Sequence, residues 1–134
     1  MKHVVSISDL SKKQILSILK RAKELVPVAK GKKKSKSLDG KILATCFFEP
    51  STRTRLSFET AMQRLGGTCI GFADPSATSH LKGETLVDTV NNILAMKVDM
   101  IVIRHPHPGT AHFLSKRVDS CIINAGDGTH EHPS

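Results

Sequence analysis

The chain has 134 residues, 39% of them hydrophobic, with five Phe and neither Trp nor Tyr, which suits one domain with a modest core. Its formal net charge of +8 invites nucleic acid as a partner. Much of that excess, however, lies in Lys30-Gly31-Lys32-Lys33-Lys34-Ser35-Lys36, a run without interleaved aromatics that reads as a solvated loop.

No apolar run approaches the ~20 residues of a membrane span. Met1-Lys2-His3-Val4-Val5-Ser6 lacks the apolar core of a secretion signal. Neither a membrane nor a nucleic acid is therefore expected as partner, and the cytoplasm is the default setting. Cys46, Cys69 and Cys121 are widely spaced in apolar runs, a pattern of reduced, buried thiols rather than of disulfides or a zinc site.

In chain order, Ser8-Asp9-Leu10-Ser11 reads as a helix start. Leu10, Ile15, Ile18, Leu19, Ala22 and Leu25-Val26 form a helical stripe that Pro27 ends or kinks. Asp39-Gly40 turns the chain into a buried strand, Ile42–Phe48. A helix follows through Leu65, with Leu56, Ala61 and Leu65 on one face and Gly66-Gly67 as its stop. Thr68–Phe72 is a second strand, and residues 73–83 are loop-like. Glu84–Met96 is a third helix, with Leu86, Val90, Ile93 and Leu94 inward.

Asp99–Ile103 is a third strand, and a Pro-rich turn at 105–109 opens a short helix to about Lys116. Ser120–Asn124 is a fourth strand, followed by a Gly-rich loop. Continuous apolar strands alternating with helices predict an α/β fold: an open parallel sheet of about four strands with helices on both faces. Ligands of such sheets bind beyond the carboxyl ends of the strands. Glu49–Thr54, residues 73–83, Arg104-His105 and Gly126–His132 all fall on that edge.

The stretch Glu49-Pro50-Ser51-Thr52-Arg53-Thr54-Arg55 sits on the first strand-to-helix turn. Ser51 and Thr52 can cap the helix, whose first amides lack intrahelical partners. Those donors, the helix dipole and the Arg53 fork together suit a phosphate. The alternative is a plain capped helix start. His105-x-His107 and His130-x-His132 raise a metal site. Pro106 and Pro108 disfavour the first pair as a chelate, no Cys or carboxylate cluster completes either, and neither a metal nor a cofactor is expected.

Phe48-Glu49-Pro50-Ser51-Thr52-Arg53-Thr54-Arg55, continued by Ser57-Phe58-Glu59, resembles the carbamoyl-phosphate signature of the aspartate and ornithine carbamoyltransferases. Lys82-Gly83-Glu84-Thr85, Arg104-His105-Pro106 and Asn124-Ala125-Gly126-Asp127-Gly128 through His132-Pro133 extend the resemblance in order and spacing over nearly the whole chain. Glu49, the Arg-His-Pro run and Ser134 after His132-Pro133 are similar to the aspartate branch; the ornithine enzymes usually have a lysine-type residue, no such run, and Cys there.

The resemblance implies transfer of a carbamoyl group from carbamoyl phosphate to L-aspartate, in de novo pyrimidine biosynthesis. It also implies a homotrimer, and an aspartate-binding second domain that follows residues 1–134. By this resemblance Ser51, Thr52, Arg53 and Thr54 bind phosphate, and Arg53 and Thr54 also approach the carbonyl oxygen. Arg104 bridges phosphate and carbonyl oxygen, and His132 hydrogen-bonds that oxygen. Ser79 and Lys82 reach into a neighbouring subunit's site, and Glu49 pairs with arginines of the second domain on closure. The competing expectations are a non-catalytic phosphate-binding or assembly module and a carbamoyltransferase with another amino-acid acceptor.

Overall fold

The structure is a computed structural model, and it describes residues 2–72, 86–128 and 131–133. After a 3-10 turn, Ile7–Asp9, the elements are α1 (Lys12–Glu24), α2 (Val26–Ala29), β1 (Ile42–Phe47), α3 (Thr52–Arg64), β2 (Thr68–Phe72), α4 (Leu86–Leu94), β3 (Met100–His105), α5 (Thr110–Ser115) and β4 (Cys121–Asp127). The four strands form one parallel sheet in the order β2-β1-β3-β4. Sequence order therefore reverses between β1 and β3, where a crevice opens at the strands' carboxyl ends.

Both faces of the sheet are covered, as the unbroken apolar strands require. Side chains alternate along each strand. Ala44 and Cys46 of β1, Ile101 and Ile103 of β3 and Ile122 of β4 join Val90 of α4 and Ala111 and Leu114 of α5 in one core. Leu43, Phe47, Val102 and Ala125 point the other way, onto Met62 and Phe58 of α3.

The inward face of α3 thus differs from the expected one. Met62 is buried and Phe58 half-buried, whereas Leu56 is 53% exposed and Ala61 is exposed too. The helix begins at Thr52 and is phased by Phe58 and Met62, one turn apart, which reach the sheet. Its stop is as expected: Gly66, at φ +89, donates to Gln63 O, and Gly67 donates to Met62 O, the paired bonds of a glycine-terminated helix.

Ser11 caps α1 with a reciprocal bond to Gln14, and Pro27 opens α2. The apolar stripe of α1 enters no core among the described residues: Ile18 and Leu19 are exposed and Ile15 half-buried. Only Cys46 of the three thiols is fully buried, and burial pushes it up to about 12. Cys69 and Cys121 are half-buried and also raised by burial. No helix among the described residues is long and apolar enough to cross a membrane.

β4 runs three residues further than its apolar core predicts, through Ala125, Gly126 and Asp127. The extension carries a bulge, since Ile103 pairs with Asn124 but His105 with Asp127. A second unpredicted feature is a parallel bridge from Val4 to Ile123, which puts the N-terminal segment alongside β4.

Candidate active site at the carboxyl edge of the sheet

The turn leaving β1 sits over the β1–β3 crevice. Ser51 occupies the N-cap position of α3 but makes no capping bond with its side chain, contrary to the sequence-based expectation. Its backbone, at φ −156 and ψ 88, departs from the extended geometry of Ser11, φ −71 and ψ 159, which caps α1 fully. Thr52 is the first helical residue, not the cap. The side chains of Ser51, Thr52, Arg53 and Thr54 take part in no hydrogen bond or ion pair among the described residues. Thr52 and Arg53 are exposed, and Ser51 and Thr54 are half-buried. Among the described residues, three hydroxyls, a guanidinium and the open amides of a helix start are uncommitted.

Arg104, next to the end of β3, is held across the crevice. Phe47 of β1 pairs with it in the sheet, and Phe48 N–H donates to its carbonyl at 2.8 Å. Its Nη2 lies 3.6 Å from Glu49 Oε1, and its Nη1 donates to Ala125 O at 2.9 Å. Its Nε is buried and has no hydrogen-bond partner among the described residues. A stranded buried donor costs about 1–3 kcal/mol, the signature of a group waiting for an acceptor. Glu49 and Arg104 thus meet within this chain.

The bulge in β4 makes room for that arginine. Gly126 stands at φ +123, and a Cβ there would lie 3.0 Å from Arg104 Nη1, so any side chain would displace the guanidinium. Asn124, buried at 1% exposure, secures the bulge by accepting Gly126 N–H at 2.9 Å and donating to Val5 O at 3.0 Å. Asp127, 2% exposed, accepts Gly109 N–H at 2.8 Å on one oxygen and Glu131 N–H at 2.7 Å on the other. Asp127 N–H returns a bond to Glu131 O, and Gly128 N–H donates to His105 O.

His105 is buried, and its Nδ1 accepts His107 N–H at 3.0 Å, which places that ring's proton on Nε2. Among the described residues no group of three or more His, Cys, Asp or Glu side chains is placed to hold a metal ion.

His132 is exposed and lines a cleft of about 400 Å³ with Thr54, Ser57, Phe58 and Ala61. The structure thus brings Thr54 to His132 and Glu49 to Arg104; Arg53 and Arg104 do not line that cleft. Ser79 and Lys82 lie outside the described residues. Sequence reasoning assigned nothing to Asn124, Asp127 or Glu131, although the first two stand in a motif it singled out. Asn124 and Asp127 bond main-chain groups, which leave no residue-type signature, and the Glu131 side chain takes its bond from Ser6, far earlier in the chain.

Residues 2–134 match the model of the aspartate/ornithine carbamoyltransferase carbamoyl-P binding domain. The chain belongs to this family. It is 52% identical over its whole length to the aspartate carbamoyltransferase catalytic subunit of Methanococcus aeolicus, covering 42% of that protein. Among solved structures it is similar to the catalytic subunit of Methanocaldococcus jannaschii aspartate transcarbamoylase, with a TM-score of 0.88 at 48% identity, over 99% of this chain and 43% of that one. It is similar also to Trypanosoma cruzi aspartate transcarbamoylase in complex with carbamoyl phosphate and aspartate, with a TM-score of 0.87 at 35% identity, over 98% of this chain and 40% of that one. The chain spans less than half the length of these relatives. The family's carbamoyl-phosphate domain is the open parallel sheet with helices on both faces described above.

Proposed function

We propose that this chain supplies the carbamoyl-phosphate half of an aspartate carbamoyltransferase, its residues 1–134 forming that domain. The observation that carries the reading is the turn Ser51–Thr54, uncommitted among the described residues, just after Glu49, which meets Arg104, whose buried Nε has no hydrogen-bond partner among the described residues. Membership of the family and its aspartate-branch relatives support it. In the reaction the aspartate amine attacks the carbonyl carbon of carbamoyl phosphate. The tetrahedral oxyanion collapses, the C–O bond to phosphate breaks, the amine loses a proton, and N-carbamoyl-L-aspartate and phosphate leave.

Ser51, Thr52, Thr54, the Arg53 guanidinium and the first amides of α3 hold the phosphoryl group. Arg104 spans phosphate and carbonyl oxygen. Thr54 and His132, across one cleft, donate to the carbonyl oxygen as it gains charge. Glu49 orients Arg104 and is the carboxylate that arginines of the amino-acid half would meet on closure. A positive chain draws the dianion in.

In this reading aspartate is held by the further length that the relatives possess, and Ser79 and Lys82 complete a neighbour's site in a cytoplasmic homotrimer. Holding the amine near the carbonyl supplies ~7–11 kcal/mol of barrier lowering, so residues 1–134 by themselves bind carbamoyl phosphate but do not turn over.

Calorimetric titration with phosphate and carbamoyl phosphate tests the proposal. Arg53→Ala should weaken both by about 1.5–3 kcal/mol, the range of a charge-assisted hydrogen bond, with little change in melting temperature. Equal affinity in wild type and variant would remove the phosphate role from this turn. Steady turnover by residues 1–134 alone would place the aspartate site within them.

A further inference from the structure

We propose that Asp127 is a positioning residue that sets His132 against the carbonyl-binding cleft through the main chain of Glu131, acting on the carbonyl half of the ligand and not on its phosphate. The inference rests on the carbamoyl-phosphate reading of this edge and adds to it a buried carboxylate that touches no ligand group.

Asp127 is the last residue of β4 and is 2% exposed. Its Oδ1 accepts Glu131 N–H at 2.7 Å, and its own N–H donates to Glu131 O at 3.1 Å. The chain is thereby clamped twice, one residue before His132. Its Oδ2 accepts the N–H of Gly109, directly before α5, at 2.8 Å. One carboxylate thus ties the strand that bulges around Arg104, the start of α5 and the approach to His132. Glu131 is fixed from a third side, because Ser6 Oγ donates to its Oε1 at 2.8 Å.

The phosphate-facing turn, Ser51–Thr54, hangs from β1 and shares none of these bonds. Loss of the clamp should therefore reach His132 and leave the phosphate cradle intact. Charge matters as well as shape. A carboxylate accepts on both oxygens, whereas an amide offers one acceptor and turns its NH₂ group against the second main-chain donor.

The experiment uses the protein as its gene encodes it and compares wild type with Asp127→Asn, His132→Ala and the double variant. Affinity for carbamoyl phosphate should fall about three- to tenfold in Asp127→Asn, the scale of one net hydrogen bond, while affinity for inorganic phosphate changes less than twofold. In the His132→Ala background the Asp127→Asn effect should vanish, since coupled residues are not additive. Equal losses for both ligands, or additive losses, would overturn the proposal.

The NMR signals of the His132 ring give a readout independent of ligand. They should move or broaden in Asp127→Asn while the Ser51–Thr54 amides stay in place; unmoved ring signals also overturn it. His132→Ala with undiminished carbamoyl-phosphate affinity would instead count against the catalytic reading of His132, which the ring signals do not depend on. Should Asp127→Asn fail to fold, Glu131→Pro removes one clamped donor and leaves the carboxylate in place; the same shift of the His132 signals is expected, and its absence overturns the proposal.

Discussion

Two turns leave the same edge of the sheet and are built on opposite plans. The turn after β1 leaves its polar side chains unspent: Ser51 makes no capping bond, and Thr52, Arg53 and Thr54 have no side-chain partners among the described residues. The end of β4 spends almost everything. Asn124, Ala125, Gly126, Asp127 and Gly128 each hold or admit a neighbour through a defined bond or a missing Cβ. The first turn can change partners because the fold does not depend on its side chains. The second cannot, because it is the mould in which Arg104 and the approach to His132 are set. Among the described residues, unused hydrogen-bonding capacity at this edge is therefore concentrated where internal bonding is poorest.

Asn124→Ala should break the comparison most severely. It strands Gly126 N–H and Val5 O in a buried site, at about 2–5 kcal/mol for one or two unsatisfied groups, read as a fall in the urea midpoint. Arg53→Ala, at the other turn, should leave that midpoint almost unmoved and lose ligand instead.

A sharper test uses two serines at helix N-caps. Ser11→Ala should cost ~1 kcal/mol, the usual value of a working cap, because it dissolves a reciprocal box. Ser51→Ala should cost less than ~0.5 kcal/mol, as for surface changes that touch nothing, yet weaken phosphate binding. If both destabilise alike, the turn after β1 is structural after all.

The smallest effect concerns pH. His3 Nδ1 accepts Ile122 N–H at 2.9 Å, and the ring sits below its ordinary value of 6.5 through burial first and Lys2 second. A depressed histidine binds its proton more readily when unfolded. The stability it contributes is therefore complete above pH 6.5 and is lost as pH falls from there through the lower folded-state value. His3→Gln, which keeps an acceptor without titrating, should flatten the dependence of the urea midpoint between pH 7.5 and about 5.

Much of the sheet was legible because its strands are short apolar runs bounded by turns; Thr68–Phe72 was read to the residue. The motifs Glu49–Thr54, Arg104-His105 and Asn124–Gly128 lie at the ends of β1, β3 and β4, as the strand pattern predicts. The face of α3 departs from the expected one because Leu56 and Ala61 are apolar yet exposed, and composition alone does not phase a helix with so few large side chains. β4 runs past its apolar core through Ala125, Gly126 and Asp127, residue types that carry no strand signal. Gly126 is there to clear the Arg104 guanidinium, a neighbour that only the fold supplies. Asp127 is hidden as a clamp for a similar reason: among the described residues its oxygens accept the main-chain amides of Gly109 and Glu131, which carry no residue-type signal.

The strip of N-terminal chain along β4 has a consequence for synthesis. Val5 O accepts from an asparagine 119 residues later in sequence. At the ribosome's ~5–20 residues per second, roughly 6–24 s separate the emergence of the two partners. β1, β2 and β3 can assemble in that interval, each parallel pairing waiting for its crossover. Val4 and Val5, made well before β4, are thus among the last of these elements to find their place. Their docking buttresses the bulge that seats Arg104, so a nascent chain acquires its sheet before it acquires its arginine.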